Sequence, residues 1–561
     1  MSAWRDLLAA AAACVIAAPA SADTLVDHID GLTLYAAGKI DHFTGMVIGS
    51  DGRIVQILHR GDKRPSRTDY QVDGKGHVVM PGMIDAHLHV MQLGFAALTL
   101  DLSDTRTLPE ALAKIAAYAA AHTDRPWILG GGWNQETWKL GRFPTAAELD
   151  AVVGDRPVWL ERADGHAGWA NSAALRAAHV DAATKDPAGG RIERVPGGTR
   201  PAGTLVDTAT ALVAAAVPPP RPEDRDLAFL TAQQILARRG VTAAADMGTS
   251  IDDWQTFRRA GDLGQLRIRI MAYAAGIDAM VTIAGPRPTP WLYDDRLRLG
   301  GVKLYLDGAL GSRGAYLKAP YTDDPGNRGL RRLSETQLRN LMSRAAIDNF
   351  QIAVHAIGDG ANYSVLNAIE ELGATYKGDR RWRIEHAQIV DPVDIARFGR
   401  LGVIASMQPI HQTSDRIMAE SRLGPARLTG AYAWHSIAAG GARLAFGSDA
   451  PVEKPDPFAG MAAAITREGA DGQPFGGWQP QERVSREEAF AAYTSGAAYA
   501  GFAEGRFGRL LRGERADFLI VDRDPLLAAP ANLRETQVLQ TWVGGMKIYD
   551  SSAEPSAPPV R

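Results

Sequence analysis

The chain has 561 residues and a formal net charge of −3, with 46% hydrophobic and 22% charged residues. This length allows a barrel and a second domain that each bury a core. A chain this close to neutrality lacks the basic field that attracts phosphate backbones, so nucleic acid is excluded as an expected partner.

The N-terminal segment predicts an exported protein. A lone arginine, offset by an aspartate, precedes an apolar stretch over residues 7–18 and the small residues 20–22. We interpret residues 1–22 as a signal peptide cut after Ala22, with an ordinary N-terminal helix as the alternative. The stretch is too short to span a membrane, so we expect a periplasmic or secreted protein without stable membrane association.

The only cysteine of the chain, Cys14, lies inside this segment. The mature protein would contain neither a thiol nor a disulfide, even in an oxidising compartment. Thiol catalysis is therefore excluded. A lipid anchor at Cys14 is an alternative that the preceding alanines match poorly.

Short β-like runs occur near both ends of the chain. Residues 23–80 contain MVIG, RIVQIL and HVVM, and residues 500–550 contain ADFLIVDRDP and TWVGGMKIYD. We predict that the two sets pair in one β-sandwich. The polar, proline-containing residues 551–561 predict a disordered tail.

Eight β-type runs, most of them followed by a helix-length segment, occupy residues 81–95 and 226–499. They are VVMPGMIDAHLH, GVTAAADM, LRIRIMAYA, LGGVKLYLDG, FQIAVHAIGD, RWRIEHAQIV, LGVIASMQP and ARLAFGSDAPV. This alternation predicts an α/β protein with a (β/α)8 barrel, whose chemistry lies at the carboxyl ends of the strands. About 150 residues separate the first two runs, so residues 96–225 are predicted to be an inserted subdomain.

Six side chains that can bind metal lie at the ends of these predicted strands. They are His87, His89, Lys303, His355, His386 and Asp449. An H-x-H pair alone is a weak signal, although two histidines two apart on a strand face the same side. Together, however, the six predict a site for one or two divalent metals at one pole of the barrel. Imidazole ligands favour zinc, although manganese or iron fits them too.

Lys303 is the unexpected member of this set, because a cation beside metal ligands would be repelled. A neutral lysine amine can add carbon dioxide to form a carbamate, which could bridge two metals. We therefore expect carbamylation of Lys303. The alternatives are a lysine that extends toward solvent and a salt bridge to Asp307.

The charges of such a site indicate a hydrolytic mechanism. Two divalent cations together with one carbamate, one hydroxide and one aspartate give the site a small net positive charge. That charge stabilises an oxyanion. We predict cleavage of a C–N bond by a hydroxide held between the metals, with Asp449 as general base and then general acid.

Eight motifs along the chain carry a family resemblance. They are PGMIDAHLH, VKLYLDGALGSRGAYL, VHAIGD, RIEHAQ, MQPIH and FGSDAPV, with LERADGHAGWANSAAL and GERADFLIVDRDPL. Together they resemble the amidohydrolase 3 branch of the amidohydrolase superfamily, which includes N-substituted formamide deformylase. The resemblance runs from about Leu25 to Asp550. It implies a barrel with a flanking sandwich, His87 and His89 on one metal, His355 and His386 on the other, Lys303 bridging them, and Asp449 as ligand and base. The resemblance does not specify which amide is the substrate.

The insertion supplies candidate contacts to a small-molecule amide substrate. It contains five tryptophans, including Trp133, which would either line the site or fill the insertion's own core. His166, in DGHAGWANS, resembles a family motif and is predicted to contact substrate or an oxyanion and to act in catalysis. Arg313 and His411 are further candidates, with a structural loop role as the alternative for each.

Several alternatives remain open at this point. A cyclic-amide hydrolase or a deaminase would use the same metal site, and a catalytically inactive periplasmic protein that binds metal or a ligand is a candidate of another class. A serine hydrolase is disfavoured because the chain lacks a G-x-S-x-G motif. A homodimer is one expected assembly state.

Overall fold

The computed structural model describes residues 23–36 and 38–553. The predicted signal peptide, with Cys14, lies outside the described residues. Of the predicted tail, Ser551–Ala553 form a 3-10 helix and residues 554–561 lie outside the described part. None of the described helices combines the length and the apolar character needed to cross a membrane.

The described residues form twenty-two strands. In chain order the strands are β1 (Thr24–Ala36), β2 (Lys39–Ile48), β3 (Ile54–Leu58), β4 (Tyr70–Asp73), β5 (Val78–Pro81), β6 (Met83–Leu88), β7 (Leu100–Asp101), β8 (Ile128–Trp133), β9 (Val158–Arg162), β10 (Ala167–Ala170), β11 (Gly190–Arg194), β12 (Pro201–Asp207), β13 (Val241–Thr249), β14 (Arg269–Ala275), β15 (Leu297–Tyr305), β16 (Gln351–Ala356), β17 (Arg383–His386), β18 (Ile404–Met407), β19 (Arg443–Phe446), β20 (Phe518–Val521), β21 (Val538–Val543) and β22 (Met546–Asp550).

The same residues form seventeen α-helices. In chain order the helices are α1 (Val90–Leu98), α2 (Leu108–Ala121), α3 (Ala146–Val153), α4 (Ser172–Ala177), α5 (Thr210–Ala214), α6 (Pro222–Arg238), α7 (Ile251–Asp262), α8 (Ile277–Ala284), α9 (Glu335–Ile347), α10 (Asp359–Gly373), α11 (Pro392–Arg400), α12 (Pro409–Leu423), α13 (Trp434–Ala439), α14 (Pro457–Thr466), α15 (Arg486–Ala492), α16 (Ser495–Ala500) and α17 (Pro530–Leu533). Short 3-10 helices occupy Pro425–Arg427 and Pro480–Glu482.

Eight parallel strands form the centre of the molecule, in the order β6-β13-β14-β15-β16-β17-β18-β19. Strands such as β16 and β18 are buried along their whole length, as expected of parallel strands covered on both faces. Each corresponds to one of the eight runs found in the sequence. The prediction of a (β/α)8 barrel is confirmed.

Two backbone hydrogen bonds bring the first and last barrel strands together at their carboxyl ends. The N–H of Asp449 donates to the carbonyl of His87 at 2.7 Å, and the N–H of His89 donates to the carbonyl of Ala450 at 2.9 Å. Gly447 permits this approach, because a Cβ there would lie 2.5 Å from the backbone nitrogen of His87. The barrel is thereby nearly closed, with three predicted ligands at the seam.

The two ends of the chain share one sheet, in the order β22-β21-β20-β5-β1-β2-β3, with β4 paired to β1. Strand β20 pairs antiparallel with β5, which joins the C-terminal part to the N-terminal part. The hydrophobic core of this sheet contains Phe43, Met46, Phe518 and Trp542. The predicted flanking sheet domain built from both chain ends is confirmed.

A second sheet, in the order β11-β12-β10-β9-β8-β7, lies between the first and second barrel strands in sequence. Asp207, at the end of β12, packs this insertion against the loop after β15. A Cβ on Gly308 or Gly314 of that loop would lie 2.6 or 2.5 Å from the Asp207 carboxylate. The two glycines therefore leave the room that the aspartate fills.

A buried ion pair joins the barrel to the sheet shared by the two chain ends, and we expect its loss to destabilise both. Arg269, the first residue of β14, donates to Asp517 at 2.5 and 2.7 Å, and both side chains are buried. Replacing Asp517 by Ala leaves an uncompensated buried charge, so Asp517→Ala should destabilise the protein by about 3–5 kcal/mol. The urea midpoint of unfolding measures this change.

The control is Asp155→Ala, which breaks an exposed pair with Arg176 and should move the midpoint little. Equal midpoints for the two variants would show that the buried pair does not hold the domains together.

Candidate metal centre and active site

The candidate site lies at the carboxyl ends of the barrel strands. His87 is on β6 and His89 follows it, Lys303 is on β15, and His355 and His386 are on β16 and β17. Asp449 follows β19. All six predicted ligands therefore reach the same pole, as the barrel topology requires.

Asp449 lies at the centre of this constellation. Its Oδ1 is 3.3 Å from His87 Nε2 and 3.2 Å from His89 Nε2. The ligand atoms of the three residues lie within 4.8 Å of one another, close enough to hold one metal ion. This group matches the first predicted metal position.

A second group of potential ligands shares Asp449 but differs from the prediction. It consists of His386, His411 and Asp449, again with ligand atoms within 4.8 Å of one another. His411 Nε2 is 3.7 Å from Asp449 Oδ2. His411, expected only as a substrate contact, thus lies among the ligands, on the first turn of α12.

His355 is close to this second group without belonging to it. Its ring centroid is 4.6 Å from that of His386, and its Nε2 is 3.5 Å from Asp307 Oδ1. The predicted pairing of His355 with His386 on one metal therefore remains a prediction. The geometry brings both rings together at the same wall of the site.

Lys303 is fully enclosed beside the first group. Its Nζ lies 3.3 Å from His87 Nε2 and 4.7 Å from the centroid of the Tyr305 ring. No ion pair between Lys303 and Asp307 is found among the described residues, because Asp307 accepts hydrogen bonds from backbone N–H groups instead. Burial lowers the pKa of Lys303 to about 8, which favours the neutral amine that carbamylation requires.

The protonation states suit metal binding. Burial, together with neighbouring positive charges, holds the pKa values of His355 and His386 well below their ordinary range, so both imidazoles are neutral. Burial alone would raise the pKa of Asp449, but His87 and His89 outweigh it and keep that pKa well below its usual value. Neutral imidazoles beside a carboxylate are the ligand forms that a divalent metal requires.

A buried pair of charges that the sequence analysis missed orients His87. Glu385 Oε2 accepts from His87 Nδ1 at 2.6 Å, so the lone pair of Nε2 faces the site. Although burial opposes its ionisation, Arg383 and His87 hold the pKa of Glu385 far below its ordinary value. Two charged residues two apart, Arg383 and Glu385, in a short predicted barrel strand were the signal that could have revealed this pair.

His386 is oriented in a similar way. Its Nδ1 lies 2.9 Å from Gln408 Oε1, which leaves Nε2 available to a ligand. The backbone places it as well, because His386 has φ of 75° and Asp449 has φ of 60°. Such left-handed conformations are uncommon outside glycine and tend to occur at functional sites.

Among the candidate ligands and His411, three buried polar atoms lack a hydrogen-bond partner within the described part of the chain. They are His355 Nε2, His411 Nε2 and Asp449 Oδ1. Buried polar atoms are normally paired, so a group that satisfies several of them is expected here. A divalent metal fits this donor set.

His166 reaches the site from the insertion. Its ring centroid is 5.0 Å from that of His355, and its Nδ1 lies 2.7 Å from Asp207 Oδ1. Burial lowers the pKa of His166, but the hydrogen bond and charge of Asp207 raise it overall. The structure therefore places His166 beside the candidate ligands, and its role as a substrate or oxyanion contact stays a prediction.

Two predicted substrate contacts, Trp133 and Arg313, have other partners in this structure. Trp133 is 0% exposed and packs with Trp138 and Trp169 in the core of the insertion, while its Nε1 donates to the carbonyl of Leu160. The five tryptophans of the insertion all lie in its two hydrophobic cores. Arg313 is turned aside by an ion pair with Asp323.

Comparison with known proteins gives consistent matches. The model described as "Amidohydrolase family" matches residues 71–549. Protein LONG AFTER FAR-RED 3 of Arabidopsis thaliana is 35% identical over 497 residues, covering 85% of this chain and 83% of its own. N-substituted formamide deformylase of Arthrobacter pascens is 29% identical over 529 residues, covering 90% and 94%. An uncharacterized metal-dependent hydrolase from Pyrococcus horikoshii has a TM-score of 0.73 at 26% identity, covering 91% and 99%.

Removing the charge of Glu385 should weaken metal binding. In Glu385→Gln the neutral amide no longer fixes the proton on Nδ1 of His87, so metal affinity should fall about 10–100-fold. Titration against a chelator of known affinity measures the change.

The matched control is Glu482→Gln, a buried carboxylate that accepts hydrogen bonds from Ser436 and lies outside the site. That variant should keep its metal affinity. Unchanged affinity in Glu385→Gln, with an unaltered melting temperature, would remove Glu385 from the metal centre.

Proposed function

This chain belongs to the amidohydrolase family and is a metal-dependent hydrolase that acts on carbon–nitrogen bonds. From this premise we propose that it hydrolyses an amide, formamide or N-acyl bond of a small molecule. The N-substituted formamide deformylase among its relatives supports this bond class. We further propose that the protein is exported, which rests on the pattern of residues 1–22.

The observation that carries the proposal is the convergence of ligands around Asp449. Four histidines lie on or after three barrel strands, and two groups of their ligand atoms share this one carboxylate. In one group, ligand atoms from positions more than three hundred residues apart meet. Polar atoms of His355, His411 and Asp449 also lack a hydrogen-bond partner within the described residues. Such convergence has no structural purpose unless a cation occupies it.

We propose that His87, His89 and Asp449 hold one ion, and that His386 holds a second with His355 or His411. Zinc is the proposed metal because neutral imidazoles predominate. When bound, such an ion ionises water near neutral pH and polarises a carbonyl. Carbamylated Lys303 would supply the missing bridging anion, and the lowered pKa of its amine supports this role.

The remaining chemistry belongs to side chains of this protein. Asp449 is ionised and buried, so it can take a proton from the attacking water and return it to the leaving nitrogen. His166, whose Nδ1 hydrogen-bonds Asp207, presents its other ring nitrogen to the mouth and can position the substrate carbonyl or leaving group. Deaminases and cyclic-amide hydrolases would use the same groups, and a panel of N-formyl amines, N-acyl amino acids, hydantoins and aminopurines separates them.

Replacing the proposed base should abolish turnover while the fold survives. Asp449→Asn should lower kcat/KM on the best panel substrate by about 10²–10⁴-fold, because an amide cannot accept the proton. Steady-state kinetics and metal content are measured together.

The control is Asp456→Asn, since this residue caps α14 and an asparagine caps equally well. It should keep parental activity. Parental turnover by Asp449→Asn would contradict the assignment of the base and favour a different proton acceptor.

Lys303→Ala should lose most of the bound metal, because the bridging anion disappears. A short carboxylic acid such as propionate should restore part of the metal content and activity, since it can occupy the space of the carbamate. Metal analysis with and without the acid is the test. Full metal content in Lys303→Ala without added acid would rule out the bridging role.

A further inference from the structure

We propose that a cavity at the amino-terminal pole of the barrel binds a phosphate dianion, either free or as the end group of a small ester. The cavity has a volume of about 230 Å³ and shares no residue with the candidate metal centre. This inference goes beyond the proposed function and does not depend on it.

The cavity lies where three neighbouring barrel strands begin. Arg298 is the second residue of β15, Gln351 is the first residue of β16, and Arg380 lies three positions before β17. The candidate metal ligands lie toward the carboxyl ends of the barrel strands. Because parallel strands run in one direction, the cavity and the metal centre are at opposite poles of the barrel.

Positive charge exceeds negative charge among the residues that line the cavity. The lining contains three cations and one carboxylate, namely Arg298, Lys377, Arg380 and Asp379. The carboxylate is already engaged, because Arg381 Nη2 lies 2.8 Å from Asp379 Oδ2 and 2.5 Å from Glu504 Oε1. The net charge is two positive units, whether or not Arg381 and Glu504 are included with the lining.

Arg298 is a half-buried cation without a partner. Its guanidinium makes no hydrogen bond or ion pair within the described residues, and its Cζ lies 5.8 Å from the centroid of the Trp291 ring. Burial lowers the pKa of Arg298, but an arginine stays protonated at neutral pH. A partly desolvated guanidinium with unused N–H donors is stabilised when an anion enters the cavity.

The other two cations are not neutralised by an acid either. The exposed Lys377 donates through Nζ to the carbonyl of Gly373 at 3.0 Å, which leaves two of its three donors free. Arg380 donates to the carbonyls of Lys377 and Ala346. It also donates to Asn349 Oδ1 at 3.0 Å, but it meets no carboxylate among the residues that the structure describes.

The wall that carries these cations is held in place. Gln351 Nε2 donates to the carbonyl of Arg381 at 2.5 Å and to that of Ala500 at 2.8 Å, which fixes the loop before β17 against β16. Gln351 Oε1 accepts from the Tyr273 hydroxyl at 2.6 Å. A charged site whose wall is fixed before binding loses little conformational freedom when a ligand arrives.

The charge and the size of the cavity specify the class of ligand. A phosphate group carries a charge of about −1.5 to −2 at pH 7, which matches the net charge of the lining better than a single carboxylate does. Guanidinium groups bind phosphate oxygens through charge-assisted hydrogen bonds. A volume of about 230 Å³ is smaller than that of pockets for drug-sized molecules, so a small ligand fits. Phe350 and Phe502 add apolar surface for the carbon atoms of an ester.

Four probes test the ligand class by calorimetry on the metal-loaded enzyme. They are inorganic phosphate, glycerol 3-phosphate, succinate and glycerol. We expect at least one phosphate compound to bind at least tenfold more tightly than succinate, whose two charges lie at the ends of a carbon chain, and glycerol not to bind. The tighter phosphate compound identifies the free ion or an ester as the ligand. Equal binding of succinate and phosphate, or no measurable binding of either phosphate compound, would overturn the proposal.

Two variants locate the binding event in the cavity. Arg298→Gln should weaken phosphate binding about tenfold or more, and Lys377→Gln about threefold, because each removes a charged donor. Since both side chains contact few other groups, the variants should keep the parental melting temperature. The control is Arg400→Gln, which removes an exposed arginine paired with Glu370 and should bind phosphate as the parent does.

Phosphate can also bind a metal ion, and the same variants separate the two poles. A binding step at the metal centre should persist in Arg298→Gln, whereas the step in the cavity should be lost. Loss of one step with unchanged metal content would support the proposal. If Arg298→Gln and Lys377→Gln both retained every titration step of the parent at parental affinity, the anion would lie outside the cavity and the proposal would be wrong.

Discussion

The contact between the last and first barrel strands is the constraint on which the site depends. A backbone hydrogen bond of 2.7 Å from Asp449 to His87 sets the position of the central carboxylate, and Gly447 allows the two strands to approach. Because both potential ligand groups share Asp449, a small displacement at this seam would separate them. Closing the barrel and building the site are therefore the same physical event.

A second layer of buried charges makes this arrangement rigid. Arg383 and Glu385 are fully enclosed inside the barrel, and their interaction holds the proton of His87 on the nitrogen that faces away from the site. Burying such charges is costly unless each is paired and hydrogen-bonded. Arg383 meets this condition through Ala86, Ser406 and Tyr273, so the cost is offset and the ligands are held ready for a metal.

The insertion adds the chemistry that a bare barrel lacks. Its tryptophans form its own cores, which leaves polar residues at its edge to meet the barrel. His166, held by Asp207, reaches the site beside His355, so the inserted sheet supplies one side chain to it. The candidate metal ligands and His166 thus come from different segments of the chain.

The sequence by itself determined the barrel, the joining of both chain ends in one sheet and the six candidate ligands, because strand periodicity and motifs at strand ends are local properties. Tertiary structure alone decided that His411 lies among the candidate ligands, that Trp133 is buried and that Arg313 pairs with Asp323. It also revealed Glu385 as the partner of His87, two hundred and ninety-eight positions away. These contacts depend on which long-range neighbours fill the space around a side chain, and no local pattern specifies that.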